Sequence, residues 1–246
     1  MDYTDNVTEA VRRYEERRGN THFNPKAALI DMDGTLLDSM KWHTLAWHRL
    51  ATELGIESTR DEFYLYEGMT GASTINKLFQ RAFGRDATDT EKSELYARKT
   101  SYFNELPRVE TIPGAKEVIK RLIDSGITRV LVTGSGQLSN LERLKDDFPG
   151  GFDANLRITS HNVSRGKPDP EPYLKAMEMA RVDPCESIVI ENAPLGVKAG
   201  AASGAFTIAV TTGPIPALEM WNAGADMVLP SMTTLDRLLP QILAYR

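Results

Sequence analysis

The sequence predicts an α/β fold, a parallel sheet covered by helices on both faces with a helical block inserted after the first strand. Three observations carry this. Short apolar runs without polar alternation, among them Ala27 to Ile30, Val130 to Val132, Ile188 to Ile190 and Phe206 to Val210, end in Gly or polar residues, as strands buried on both faces do. Between them apolar residues recur at helical spacing and stop at glycine, as in Val118, Ile119, Leu122 and Ile123 before Gly126. From Asp38-Ser39 to about Pro107 helical stretches follow one another with few strand-like runs. Strands alternating with helices argue for a parallel sheet.

In chain order, residues 1–22 read as an N-terminal extension with a short helix from about Thr8 to Arg18. Val11 and Tyr14 are its apolar contacts, and Glu9 is placed to pair with Arg13 four residues on. The first core strand covers roughly Lys26 to Met32. Trp42, Leu45, Ala46, Leu50 and Leu54 then form a helix stopped by Gly55, the first of the inserted block at 39–107. The core, 23–38 and 108–246, resumes at Ile112-Pro113-Gly114. Strands are expected over Thr128 to Thr133, Asn155 to Thr159, Ser187 to Ile190, Phe206 to Val210 and Ala225 to Leu229. Helices are expected over Leu138 to Lys145, Tyr173 to Ala180, Pro194 to Ala202 and Thr234 to Leu243.

The 246 residues suffice for one large domain or a core with a smaller insert, and the net charge of -5 speaks against a nucleic-acid or anionic-membrane partner. A small anionic substrate would need locally placed cations. Cys185 is the single cysteine, so no intrachain disulfide forms. The first residues are acidic and polar, and no apolar run approaches spanning length. These features lead us to expect a cytoplasmic monomer with no membrane contact.

The chemistry concentrates where strands end. Asp31 and Asp33 follow the apolar run and precede Gly34-Thr35, and two carboxylates this close require a cation or a shared proton. An Asp-Gly turn in solvent is the plainer alternative. Thr133-Gly134-Ser135 ends a second strand, where a hydroxyl and backbone N–H groups can hold anionic oxygens. Arg165-Gly166-Lys167-Pro168-Asp169-Pro170-Glu171-Pro172 makes a stiff loop that can fix Lys167 at low entropic cost. Ile188 to Gly200 ends a third strand in Glu191-Asn192.

Asp31-x-Asp33-Gly-Thr, Thr133, the Gly-Lys-Pro-Asp-Pro-x-x-Tyr run and the Glu191-Asn192 strand end occur in the order of the four motifs of the haloacid dehalogenase (HAD) superfamily, which they resemble. Gly-Lys-Pro-Asp-Pro and Leu195-Gly196-Val197-Lys198-Ala199-Gly200 are similar to its β-phosphoglucomutase-like branch. The resemblance implies a Rossmann-like HAD core with a parallel sheet and a helical cap, here residues 39–107. It implies that Asp31 is a nucleophile forming an aspartyl phosphate, with Asp33 as general acid/base. Thr133, Lys167 and the N–H groups of Gly134 and Ser135 would hold the phosphoryl oxygens. Mg²⁺ would sit on Asp31, the carbonyl of Asp33 and an oxygen of Asn192, with Glu191 as a further candidate. His43 is similar to a cap-helix histidine that orients the acid/base aspartate. Lys99 is a candidate phosphate contact, although a solvated helix lysine beside Arg98 is the preferred reading.

The sequence departs from the mutase pattern at four places. Gly71 and Gly136 stand where that pattern has an arginine and a lysine for a second phosphate, and glycine cannot replace a charge-assisted contact. Asn192 stands where an aspartate usually binds the metal, and Glu67 where the mutase tends to have a lysine. Glu67 could therefore restore the lost charge at the metal, which would favour a small metal-binding substrate. The expectation is a Mg²⁺-dependent phosphohydrolase, with inorganic pyrophosphate first. A β-phosphoglucomutase or sugar-phosphate phosphatase is the alternative, and a non-catalytic binder of phosphate compounds the remote one. His48 is assigned to the helix surface, His22 and His161 receive no role, and Trp42 and Trp47 are read as cap packing.

Overall fold

Ala27–Ile30 (β1) pairs in parallel with Thr128–Val132 (β2) on one side and Ser187–Glu191 (β4) on the other, with Leu29 opposite both Val130 and Val189. Arg157–Ile158 (β3), Phe206–Val210 (β5) and Met227–Leu229 (β6) complete a six-stranded parallel sheet in the order β3-β2-β1-β4-β5-β6. The computed structural model describes residues 4–136 and 138–245, with side chains over 7–136 and 143–245; Met1 to Tyr3 of the extension, and Gln137, lie outside the described residues.

Every residue of β1, β4 and β5 is buried, which is why most of them are apolar, Ser187, Glu191 and Thr207 being the exceptions. Alternate residues serve opposite faces. Ala28, Ile30, Leu131, Ile188 and Ile190 join one core cluster, and Ala27, Leu29, Val130, Val132 and Val189 another. The second cluster is closed by Tyr173, Ala176 and Met177 of a helix at Glu171–Ala180. Strand order reverses between β1 and β4, and ligands of open α/β sheets bind at such a switch point beyond the strands' carboxyl ends.

The remaining helices are α1 (Thr4–Arg17), α2 (Met40–Glu53), α3 (Gly71–Phe83), α4 (Asp89–Asn104), α5 (Ala115–Asp124), α6 (Leu138–Asp147), α8 (Pro194–Ser203), α9 (Ala217–Asn222) and α10 (Met232–Leu243), with Glu171–Ala180 as α7. Between β1 and α5 lies the inserted block: α2, a 3₁₀ turn at Asp61–Tyr64, α3 and α4. It has its own apolar cluster, including Trp47, Leu50, Phe63, Leu78 and Phe79. Thr70 caps α3 by accepting from Ser73 N–H, and Thr88 with Glu91 forms a capping box on α4.

Several expectations change. The first helix starts at Thr4, and Glu9 pairs with Arg12 at 2.7 Å instead of Arg13. Its Val7, Ala10, Val11 and Tyr14 belong to the main sheet cluster. Tyr14 meets Phe23 and Phe206 edge-on, with ring centroids 5.7 and 5.4 Å away, and donates its hydroxyl to Gly204 O at 2.9 Å. Ile123 is exposed and lies off the buried stripe of α5. Trp42 packs on the sheet cluster, whereas Trp47 packs among the inserted helices. His48 is half-buried and hydrogen-bonded with Ser58 Oγ, not a free surface residue. The short α9 was not anticipated, because six residues give too little periodicity to read. Among the described residues no helix is long and apolar enough to cross a membrane.

Candidate active site

The ladder of β1 runs one residue past the strand, with Asp31 N–H donating to Ile190 O at 3.0 Å. The chain then turns at Gly34, whose φ is +82°. A Cβ there would lie 2.0 Å from Asn192 Nδ2 and 2.4 Å from Glu67 Oε1, so only glycine lets these side chains close over the turn. Asp31 and Asp33 thus leave the sheet at the switch point, each among different partners.

Asp31 is buried and its Oδ1 accepts from Lys167 Nζ at 2.6 Å. Lys167 also donates to Glu191 Oε1 at 2.6 Å and Val132 O at 3.0 Å, which occupies all three ammonium protons. The Lys167–Pro168 peptide is cis. Glu191 Oε1 further accepts from Tyr173 OH at 2.8 Å, while Oε2 accepts from the N–H groups of Asn192 and Ala193 at 3.0 and 3.3 Å. Two buried carboxylates share one buried ammonium. Burial, and then the Glu191 charge, push the Asp31 carboxyl up to about 8 against the opposing pull of Lys167. For Lys167 burial opposes the charge, but Asp31 and Glu191 outweigh it and hold the ammonium above its ordinary range.

Asp33 Oδ1 accepts from Ser39 Oγ at 2.6 Å and lies 3.1 Å from His43 Nε2. Lys99 Nζ is 2.6 Å from His43 Nδ1. The network assigns the tautomer: Nδ1 accepts from Lys99 and Nε2–H donates to Asp33. Burial alone would raise the Asp33 carboxyl; His43, then Ser39 and Lys99, more than offset it and hold it below its ordinary value. His43 is itself lowered by burial and by Lys99, and it stacks on Phe103 at 4.2 Å. Lys99 is only 2 % exposed, so the solvated-lysine reading is wrong. Its ammonium lies 5.2 Å from the ring centroids of both Trp47 and Phe103, and burial lowers its pKa to about 7.

Asn192 joins the two layers. Its Nδ2 donates to Glu67 Oε1 at 2.7 Å, and its Oδ1 accepts from Thr35 Oγ1 at 3.0 Å. Burial, with Asp31, Glu191 and Asp33 nearby, raises the Glu67 carboxyl well above its ordinary value. No group of three or more His, Cys, Asp or Glu side chains among the described residues is arranged to bind a metal by itself. Mg²⁺ asks for less, since one or two carboxylates, a carbonyl, substrate oxygens and waters suffice. Asp31 keeps one oxygen without a hydrogen-bond partner among the described residues, and Asn192 Oδ1 retains a lone pair. Four acids, Asp31, Asp33, Glu67 and Glu191, surround two lysines. This donor set and charge excess fit a divalent cation.

The loop after β2 supplies the opposite wall. Thr133 Oγ1 lies 3.5 Å from Asp33 Oδ2 and accepts from Ser135 N–H at 3.0 Å, so that N–H is engaged within the loop. A Cβ on Gly134 would lie 2.6 Å from Gly68 O, which brings this loop against the one before α3. A Cβ on Gly71 would lie 2.2 Å from the ring of Tyr96, whose hydroxyl accepts from Gly136 N–H at 3.2 Å. One cavity is lined from below by Asp31, Asp33 and Thr133 and from above by His43, Glu67, Tyr96 and Lys99. Ser39, Tyr96 and Tyr173 were given no role from sequence. Tyr173 stands in the Gly-Lys-Pro-Asp-Pro-x-x-Tyr run, and Tyr96 precedes Lys99 by one helical turn; nothing in the sequence marks Ser39.

A model of haloacid dehalogenase-like hydrolases matches residues 25–204. The chain is 29 % identical over 233 residues to the β-phosphoglucomutase of Bacillus subtilis, covering 90 % of this chain and 97 % of that one. It is 30 % identical to hexitol phosphatase A of Escherichia coli, covering 84 % and 91 %. A solved structure from Bacteroides vulgatus, provisionally named a β-phosphoglucomutase, superposes with a TM-score of 0.94 at 43 % identity and covers 98 % of both chains.

Proposed function

The chain belongs to the haloacid dehalogenase-like hydrolases, and from that premise we propose that it hydrolyses a small phosphate monoester, a phosphorylated sugar or polyol, through Asp31. The observation that carries the reading is the division of partners between the two aspartates: Lys167 on Asp31, and Ser39 with the His43–Lys99 chain on Asp33. Two carboxylates in separate environments can take distinct nucleophile and acid/base roles. In the metal-free protein the Asp31 carboxyl is raised and the Asp33 carboxyl lowered, so Asp31 would have to be brought to the carboxylate by a bound cation, and Asp33 would have to gain a proton before acting as the acid. Asp31 attacks phosphorus as the bond to the leaving oxygen breaks, and Asp33 gives that oxygen its proton. Asp33 then takes a proton from water, whose oxygen displaces the Asp31 carboxylate and releases phosphate. Lys167, fixed between Asp31 and Glu191, offsets charge at the reacting end electrostatically, and Thr133 Oγ1 is placed to hold a phosphoryl oxygen.

Mg²⁺ would be held by Asp31, the Asp33 carbonyl and Asn192 Oδ1, and when bound it would neutralise charge on the transferring group. Glu191 would serve to anchor Lys167, since both its oxygens already accept hydrogen bonds.

The relatives' names, hexitol phosphatase and β-phosphoglucomutase, support a carbohydrate phosphate ahead of inorganic pyrophosphate. Hydrolysis is favoured over mutase chemistry because Gly71 and Gly136 offer no cation and Tyr96 fills the space between them. Pyrophosphate is kept as a second reading on one observation. Glu67 reaches across to Asn192, and a carboxylate there suits a substrate that itself binds the metal. The test is phosphate release with Mg²⁺ from hexitol and hexose monophosphates and from pyrophosphate, with Asp31→Asn as control. Turnover of the monoesters, lost in the control, is expected. Dominant pyrophosphate turnover would install the second reading, and mutase turnover without phosphate release would overturn both.

A further inference from the structure

We propose that Tyr96 is the specificity-determining residue of this site, selecting esters that carry a single phosphate and a neutral, hydroxylated leaving group. This deepens the proposed phosphomonoesterase reading and rests on it. Tyr96 lies on α4 three residues before Lys99, so both side chains leave the same helix face and enter the same cavity. Lys99 turns toward His43 and the reacting end, and Tyr96 extends to the far end.

Three contacts hold the ring there. It lies against the N-terminal turn of α3, where Gly71 leaves the room; a β-carbon at that position would sit 2.2 Å from both Cδ2 and Cε2. Its hydroxyl accepts from Gly136 N–H at 3.2 Å and hydrogen-bonds with the Ser135 side chain. Trp47 backs it, with ring centroids 6.3 Å apart. Tyr96 thus bridges the inserted helices and the loop after β2, over the mouth of the chemistry.

The consequence is electrostatic. Trp47, Phe63, Tyr66, Met69 and Thr74 continue this wall, and none bears a charge. Lys99 is the single lysine or arginine lining the cavity among the described residues, and His43 occupies it. A leaving group bearing a second phosphate would be desolvated against aromatic rings with no free cation in the cavity lining, which is costly; Lys77 lies 4.4 Å over the Tyr66 ring but does not line the cavity. A polyol or sugar instead finds aromatic faces for its C–H surface and a phenol hydroxyl for its own hydroxyls.

The experiment compares kcat/KM for a hexose monophosphate and the corresponding hexose bisphosphate in wild type, Tyr96→Ala and Tyr96→Phe. Tyr96→Ala is expected to raise the bisphosphate-to-monophosphate ratio by about tenfold, the scale on which pocket shape discriminates. Tyr96→Phe keeps the ring and is expected to keep most of the discrimination. Gly71→Ala, which must displace the ring, is the second variant and should shift the ratio in the same direction as Tyr96→Ala. A parallel loss on both substrates, with the ratio unchanged, would mark Tyr96 as merely structural and overturn the proposal. A wild type that releases phosphate from no monoester would overturn the phosphomonoesterase reading as well, which separates the two failures.

Discussion

Lys99 Nζ lies 2.6 Å from Nδ1 of His43, and both side chains are buried. A lysine placed there faces a ring nitrogen that accepts from it, with Asp33 beyond the ring and the Trp47 and Phe103 rings around its ammonium. Burial nevertheless disfavours the ammonium against the pull of Asp33, and its pKa falls to about 7 from an unfolded value of 10.5. Between these two values the unfolded chain binds more protons, so stability rises with pH across that window and is lowest below it. Relative to Lys99→Met, wild type should gain on the order of 2 kcal/mol between pH 7 and pH 9. Denaturant unfolding of both proteins at the two pH values measures this; a constant difference between them would refute the shift.

The same contact makes a kinetic prediction. If Lys99 acts on Asp33 only through His43, the two residues form one unit. Lys99→Met should lower kcat by about tenfold and His43→Ala by more, while the double variant should resemble His43→Ala alone, as residues acting as a unit are not additive. Additive losses would mean that Lys99 touches the substrate directly, the role first considered for it.

The fold was legible because its core strands are buried on both faces. Apolar runs located β1, β2, β4 and β5 to within a residue or two, and the polar residues after β1, β2 and β4 pointed to the candidate site. What stayed illegible depended on distant neighbours. Arg98 and Lys99 are adjacent and chemically alike in sequence, yet Lys99 faces the cavity and Arg98 is exposed; only the packing of α4 against α2 decides which. Trp42 and Trp47 belong to one helical pattern but serve different cores, since α2 lies between the sheet and the inserted helices. Gly71 could be read as a missing cation, but not as room for the ring of Tyr96, far along the chain.

Lys167 neutralises two buried acids, so its removal should cost more than its place in the chemistry. Lys167→Met would leave Asp31 and Glu191 without a cation and is expected to destabilise the metal-free protein by about 3–5 kcal/mol. Adding Glu191→Gln should recover part of that stability without recovering activity, because the nucleophile still lacks its ammonium. Thermal unfolding and phosphate release on the single and double variants separate the two effects. Equal stability of the two variants would show that Glu191 does not depend on Lys167.

Glu67 tests whether the contact between the layers is also a metal contact. In the metal-free protein its carboxyl is raised by burial and by three neighbouring acids, and Asn192 Nδ2 donates to it. Glu67→Gln keeps an acceptor for Asn192 and removes the charge, so the metal-free protein should be as stable as wild type or slightly more so. A cation that binds only the folded state raises its stability in proportion to ln(1 + [Mg²⁺]/Kd). The Mg²⁺-induced rise in Tm should therefore be clear in wild type and smaller in the variant, with the midpoint of the titration displaced by about tenfold or more. Identical Mg²⁺ titrations would confine Glu67 to bridging the layers through Asn192, and would remove the observation on which the pyrophosphate reading stands.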